Sequence, residues 1–139
     1  MNPKKLAEKV FDQMFETDYF SKWLGIEKLE IDAGKSVLRL KIRKEMLNGF
    51  GIAHGGITYC LADSALAFAC NSHGRKTVSV ETSVSHVVAL KEGDIITAYA
   101  EEESKTNKIG VYRVIIKREE EVVAVFKGVV YRTSKEWKV

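Results

Sequence analysis

The stretch Asn48-Gly49-Phe50-Gly51-Ile52-Ala53-His54-Gly55-Gly56-Ile57-Thr58-Tyr59-Cys60-Leu61-Ala62-Asp63 holds most of the residues of this chain that could do chemistry. His54-Gly55-Gly56 stands where a loop gives way to a long apolar segment. The first turn of a helix has backbone N–H groups without intrahelical partners and carries the positive end of the helix dipole. Glycine at such a place removes the side chain that would keep a ligand oxygen away. Fixed N–H donors of this kind stabilise negative charge as it develops on a carbonyl oxygen, which is the work of an oxyanion hole. The same two glycines also suit a tight turn, or close packing of helix on sheet.

Asp63 is the one carboxylate of that apolar segment. A carboxylate taken out of water costs desolvation energy unless it is paired, and its pKa moves upward. A raised pKa suits a general base working near neutral pH. The other reading is a structural Asp, hydrogen-bonded across a subunit interface. His54, taken by itself, reads equally as a neutral cap of the helix start. Gly55 and Asp63 are eight residues apart, about 12 Å along a helix axis. A base and an oxyanion donor acting on one carbonyl must both lie within a few ångströms of it. Within one chain they cannot meet. Two such helices, antiparallel across a twofold axis, would bring Gly55 of one subunit near Asp63 of the other, twice per dimer.

These residues need elements to hold them. Residues 4–22 place Leu6, Val10, Phe11, Met14, Phe15 and Phe20 among charged neighbours at a helical period, which predicts one amphipathic surface helix. Ile26, Leu29 and Ile31 suggest a short strand. After the turn Asp32-Ala33-Gly34-Lys35, Leu38, Leu40 and Ile42 alternate with Arg39, Lys41 and Arg43 as a half-buried second strand. Residues 44–51 lose all periodicity and read as a loop. Residues 55–71 are apolar on nearly every side, so this helix must be covered all round. Beyond His73-Gly74 the period is two: Val78, Val80, Thr82, Val84, His86 and Val88 on one face, Ser79, Glu81, Ser83 and Ser85 on the other. Ile96 to Glu103, Val111 to Lys117 and Val122 to Arg132 continue the alternation, and three long strands joined by short polar turns are read as a meander. The expected fold is α+β: one curved antiparallel sheet of five strands wrapped around the long buried helix. A small sheet cannot also cover its own second face, which argues for a dimer.

Composition sets bounds. With 139 residues there is room for one domain and one core, so residues 1–139 are read as a single domain. Hydrophobic residues at 45% and charged residues at 29% argue against disorder. A net charge of +3 is too even for a dedicated nucleic-acid binder, though it suits an anionic ligand. No apolar run approaches the roughly 20 residues of a membrane span. Met1-Asn2-Pro3-Lys4-Lys5 leads into an amphipathic segment, not an apolar signal core, and a cytoplasmic protein is expected. Cys60 and Cys70 lie about 15 Å apart on one helix, too far for a disulfide, and read as small core residues. His54, His73 and His86 have neither HxxxH nor HxH spacing and no CxxC beside them, so no metal site is expected.

His54-Gly55-Gly56, with Asn48 six residues before the His and Asp63 nine after it, followed by Leu61-Ala62-Asp63-Ser64-Ala65 and Phe68-Ala69-Cys70-Asn71-Ser72, resembles the hotdog-fold acyl-CoA thioesterases of the phenylacetate-degradation (PaaI) type. The likeness runs from the second strand to the last and is most specific between Asn48 and Asn71. It implies a hotdog fold, dimers often paired into tetramers, and hydrolysis of acyl-CoA thioesters without a cofactor, coenzyme A being part of the substrate. Residue by residue it implies Asp63 as catalytic carboxylate, Gly55 as the N–H donor to the thioester carbonyl, and Asn48 and His54 as polar groups orienting substrate or water. Ser79 on the facing strand and Gly56 are implied as substrate-binding. Many members carry an aromatic-Leu-Arg-Pro-Ala block where this chain has His86-Val87-Val88-Ala89-Leu90. Arg75, Lys76, Lys105 and Lys108 are candidate contacts for coenzyme A phosphates; Phe50, Tyr59 and Phe68 are candidate pocket residues. Other readings on this fold are a non-catalytic acyl-CoA sensor, which the retained Asp63 disfavours, and a dehydratase, which lacks a second acidic group beside the histidine.

Overall fold

A computed structural model describes all residues, Met1–Val139. Asn2 caps the first helix, α1 (Pro3–Glu16), its side chain accepting from the Lys5 N–H, with Pro3 in the first turn where its missing N–H costs nothing. The single N-terminal helix expected over residues 4–22 is two helices. Asp18 accepts from both Ser21 N–H and Ser21 Oγ, stopping α1 and starting the one-and-a-half-turn α2 (Tyr19–Leu24), which Gly25 closes at a left-handed φ of 81°. Strands β1 (Glu27–Asp32) and β2 (Lys35–Lys41) form the expected hairpin. The buried helix α3 (Gly55–Asn71) follows, then β3 (Arg75–His86), β4 (Ile95–Lys105), β5 (Ile109–Arg118) and β6 (Glu121–Glu136).

The sheet has six strands, not five, in the order β1-β2-β4-β5-β6-β3. Four strands follow α3, and only the last three form the meander. α3 carries the chain across the sheet to its far edge, so β3 pairs with β6 rather than with β4, which lies beside β2. Alternation along a strand reports which face is buried but says nothing about its neighbours, which is why the order differs from the expectation.

α3 lies against β1, β2, β3, β4, β5 and β6, and α1 covers it from outside. Leu61, Ala62, Ala65, Leu66, Phe68 and Ala69 are all buried. Phe11 of α1 meets Phe68 edge-on at 4.6 Å. Complete burial of one such large side chain contributes about 1.5–3 kcal/mol. Under the helix the sheet needs glycine: a Cβ on Gly128 of β6 would lie 2.6 Å from Leu66 Cδ2. This is the hotdog arrangement that the resemblance implies.

β3 carries a bulge between Ser79 and Glu81. The extra residue reverses the alternation. Thr77 is buried and Ser79 faces α3, while Val78 and Val80 are 56% and 61% exposed. Beyond the bulge, Thr82, Val84 and His86 face the helix. The sequence pattern sets Ser79 opposite Thr82 and His86; the bulge puts all three on one side.

Candidate active site

His54 caps α3, its Nδ1 accepting from the Gly56 N–H at 2.8 Å. The neutral ring therefore carries its proton on Nε2. Because Gly56 N–H is engaged there, Gly55 N–H is the donor of the His54-Gly55-Gly56 turn left without a partner in the chain. Asn48 is held by its loop: Oδ1 accepts from Phe50 N–H (2.9 Å) and Ile52 N–H, which leaves the Nδ2 amide free to donate. Gly55 and Asn48 share a cleft of about 290 Å³ with Thr58 and His86. His54 itself points to solvent.

Asp63 opens on another cleft, of about 410 Å³, with Ser79, Lys76, Asn71, Met14 and Trp137 in its walls. Its half-buried carboxylate has no partner in the chain, and burial first, then the negative charge of Asp18, push its pKa up. Asp18 comes close because Ser21 Oγ, which donates to Asp18, also bonds Ser64 Oγ at 2.8 Å, one residue along α3 from Asp63. Ser79 lines this cleft with Asp63. The two clefts have no residue in common.

The structure thus brings Asn48 to Gly55 and Ser79 to Asp63, and separates the two pairs. Of the candidate pocket residues, Phe68 is core and Phe50 is 90% exposed. Tyr59 is half-buried against Phe126, with its hydroxyl 2.6 Å from Thr82 Oγ1. Arg75 is engaged by Asn107. Lys76 lies over the Trp137 ring at 4.9 Å, at the Asp63 cleft, whereas Lys105 and Lys108 are exposed on the β4–β5 turn. Cys60 and Cys70 are free thiols, and burial pushes Cys70 up to about 12. Sequence reasoning missed Thr58, His86 and Trp137 as cleft residues. For His86 a signal existed, since it shares a strand face with residues that must pack on the helix; for Trp137 there was none.

The model of the thioesterase superfamily matches residues 50–125. The acyl-coenzyme A thioesterase PaaI of Escherichia coli is 35% identical over 120 residues, 86% of this chain and 86% of that protein. The structure of the E. coli PaaI protein from the phenylacetic acid degradation operon superposes with a TM-score of 0.95 at 32% identity, over 97% of this chain and 99% of that one. A hypothetical thioesterase protein of Streptococcus pneumoniae, solved with coenzyme A, gives a TM-score of 0.83 at 25% identity, over 90% of this chain and 98% of that one. The family match spans more than half of the fold, including α3 and its capping loop, and the likeness to PaaI extends through the N-terminal helices; the chain belongs to the thioesterase superfamily, as a member of the PaaI type.

Proposed function

We propose that this acyl-CoA thioesterase works as a homodimer with two shared sites, each taking Gly55 and Asn48 from one chain and Asp63 and Ser79 from the other. The observation that carries this reading is the division of the chemistry between two clefts. One holds unpartnered donors, the other an unpartnered base, and eight residues of helix separate Gly55 from Asp63. Strand β3 supports it as well. Its outer edge is unpaired over twelve residues, and the exposed Val78 and Val80 do nothing to blunt it. Such an edge is a template for another strand. Antiparallel pairing of β3 with its copy would run the two α3 helices in opposite directions and set each Gly55 against the other chain's Asp63.

In this site the thioester carbonyl accepts from Gly55 N–H, with the α3 dipole aligned behind the donor, and Asn48 Nδ2 gives a second hydrogen bond. His54 fixes the backbone of the turn through Gly56, so that the Gly55 N–H is already aimed. Asp63, its pKa raised by burial and by Asp18, takes a proton from water as the oxygen attacks the carbonyl carbon. Attack by the carboxylate itself, giving a mixed anhydride that water then opens, uses the same geometry. Ser79 hydrogen-bonds Asp63 or the attacking water. Collapse of the tetrahedral intermediate expels coenzyme A as the thiolate, a leaving group that needs no strong acid. Lys76, beside the Asp63 cleft, is placed to meet a phosphate of coenzyme A. We read residues 1–139 as one domain, and a pairing of dimers into tetramers follows the family pattern. No helix is long and apolar enough to cross a membrane; the two free thiols suit a reducing compartment, and we assign the enzyme to the cytoplasm.

Subunit mixing tests the shared site. Gly55→Pro deletes the donor, and the backbone tolerates it: Gly55 is the first helical residue, and His54 at φ −60° and ψ 138° already has the extended conformation that precedes proline. A Cβ there lies 3.1 Å from His86 Nε2, so that exposed ring must give by a few tenths of an ångström. Asp63→Asn keeps the donor and lacks the base. Each variant alone has two broken sites per dimer. Refolded together in equal amounts, about half the dimers are mixed, and in those one site is intact. Activity returns to about a quarter of wild type. If both variants fold and exchange and the mixture stays inactive, the sites are not shared.

A further inference from the structure

His86 has no part in the mechanism above, yet its ring lies over the first turn of α3. Nε2 is 3.1 Å, and Cε1 3.4 Å, from the point where a Cβ on Gly55 would sit. The proton on this ring is assigned by Thr58. The Thr58 hydroxyl donates to the Gly55 carbonyl oxygen at 3.0 Å, and a carbonyl can only accept, so the single hydroxyl proton is engaged. Thr58 Oγ1 must then accept from His86 Nδ1, 3.1 Å away. With the proton on Nδ1, Nε2 of the neutral ring is an acceptor, and nothing in the chain donates to it. His54 has the opposite arrangement, with Nδ1 accepting and Nε2 protonated. The cleft of Asn48 and Gly55 therefore presents two donors, Gly55 N–H and Asn48 Nδ2, and an acceptor beside them. A bare carbonyl satisfies the donors and leaves the acceptor empty. A carbonyl with a hydrogen-bond donor next to it satisfies all three.

We propose that His86 is a specificity-determining residue, whose Nε2 accepts a hydrogen bond from a donor that the substrate carries within a few ångströms of its thioester carbonyl. The proposal rests on the reading that Gly55 N–H holds that carbonyl. Two parts of an acyl-CoA can supply the donor: a hydroxyl on the acyl group close to the carbonyl, or the pantetheine amide N–H nearest the sulfur. A site built to hydrogen-bond such a group discriminates against the analogue lacking it, because the acceptor that the bound substrate covers is then left unpaired.

The test compares kcat/KM for three thioesters: a 3-hydroxyacyl-CoA, the acyl-CoA of the same length without the hydroxyl, and that plain acyl group on a simple alkyl thiol without the amide. His86→Phe keeps a ring over Gly55 and removes both nitrogens. The expected result is a fall of about tenfold or more in the preference for the donor-bearing thioester. A fall in the ratio of hydroxyacyl to plain acyl-CoA assigns the donor to the acyl group; a fall in the ratio of plain acyl-CoA to simple thioester assigns it to the pantetheine arm. His86→Gln, which returns an acceptor, recovers part of the preference. Ratios unchanged in a folded His86→Phe dimer overturn the proposal, and so does a loss that is equal for all three thioesters. If His86→Phe does not fold, His86→Met carries the same comparison, with the ratios read in the same way. Failure of the underlying reading looks different: Gly55→Pro, which lacks the N–H donor, would then turn over plain acyl-CoA as fast as wild type.

Discussion

The two ends of α3 use the same kinds of residue for opposite purposes. At its C-terminal end the side chains of Asn71, Ser72 and His73 are all answered. Asn71 Nδ2 donates to Ala67 O (2.9 Å) and Thr77 O (3.0 Å), and its Oδ1 accepts from Thr77 N–H and Trp137 Nε1, both at 2.9 Å. Ser72 Oγ donates to Ala69 O and accepts from Gly34 N–H. His73 Nε2 sits 2.7 Å from Glu102 Oε1, to which the buried Tyr112 hydroxyl also donates. At the N-terminus Gly55 N–H and Asn48 Nδ2, and at the middle of the helix the Asp63 carboxylate, have no partner. A polar group left open inside a fold costs stability unless something else binds it. The closed end holds the helix, hairpin and sheet together; the open groups are available to a substrate.

If that division is right, the open groups and the closed ones must fail differently. Asp63→Asn has the largest expected effect: kcat falls about 10²–10⁴-fold. The protein stays folded with an unchanged or higher melting temperature, since an uncompensated charge is removed. Turnover close to wild type by a folded Asp63→Asn variant would take this residue out of the mechanism.

Asn71→Ala should do the reverse. It strands Thr77 N–H, Thr77 O and the Trp137 indole N–H together, for an expected loss of about 2–4 kcal/mol in urea unfolding. Turnover of the folded fraction falls far less than in Asp63→Asn. A stable but inactive Asn71→Ala variant would erase the distinction between closed and open groups.

Asp18→Asn gives the smallest and sharpest effect. Asn caps a helix as well as Asp does, so α2 keeps its place while the charge near Asp63 disappears. Asp63 must be ionised to accept a proton, so activity falls as pH drops through its raised pKa. Removing the like charge eases ionisation, and the acid limb of kcat/KM moves to lower pH. Burial, the larger cause of the raised value, remains. The other titratable groups at this carboxylate, Lys76 from β3 and Cys60 and Cys70 on α3, are untouched. An acid limb that does not move would show that Asp18 only caps α2.

Much of the site was legible because it is written within one element. The run from Asn48 to Asp63 spans a loop and two turns of helix, where the cap at His54, the bare first turn at Gly55 and the lone Asp63 follow from spacing. Even the separation of Gly55 from Asp63 is helix arithmetic. Ser79 came from the resemblance, and its orientation was misread because a bulge shifts the alternation by one residue, which a period of two does not reveal. The break at Thr17-Asp18 had a local signal, the capping Asp, but the apolar stripe ran on through Phe20 and masked it.

The sequence by itself determined the buried helix, the hairpin, the alternating strands and the spacing of Gly55 from Asp63 along one helix. These depend on neighbours a few residues apart, whose geometry the backbone fixes. Only the tertiary structure decided that β3 crosses to the far edge beside β6, that Asp18 of a separate helix comes near Asp63, and that His86 closes over Gly55. Each joins segments far apart in the chain, and residues at such separations are brought together by the packing of whole faces. No local period encodes that.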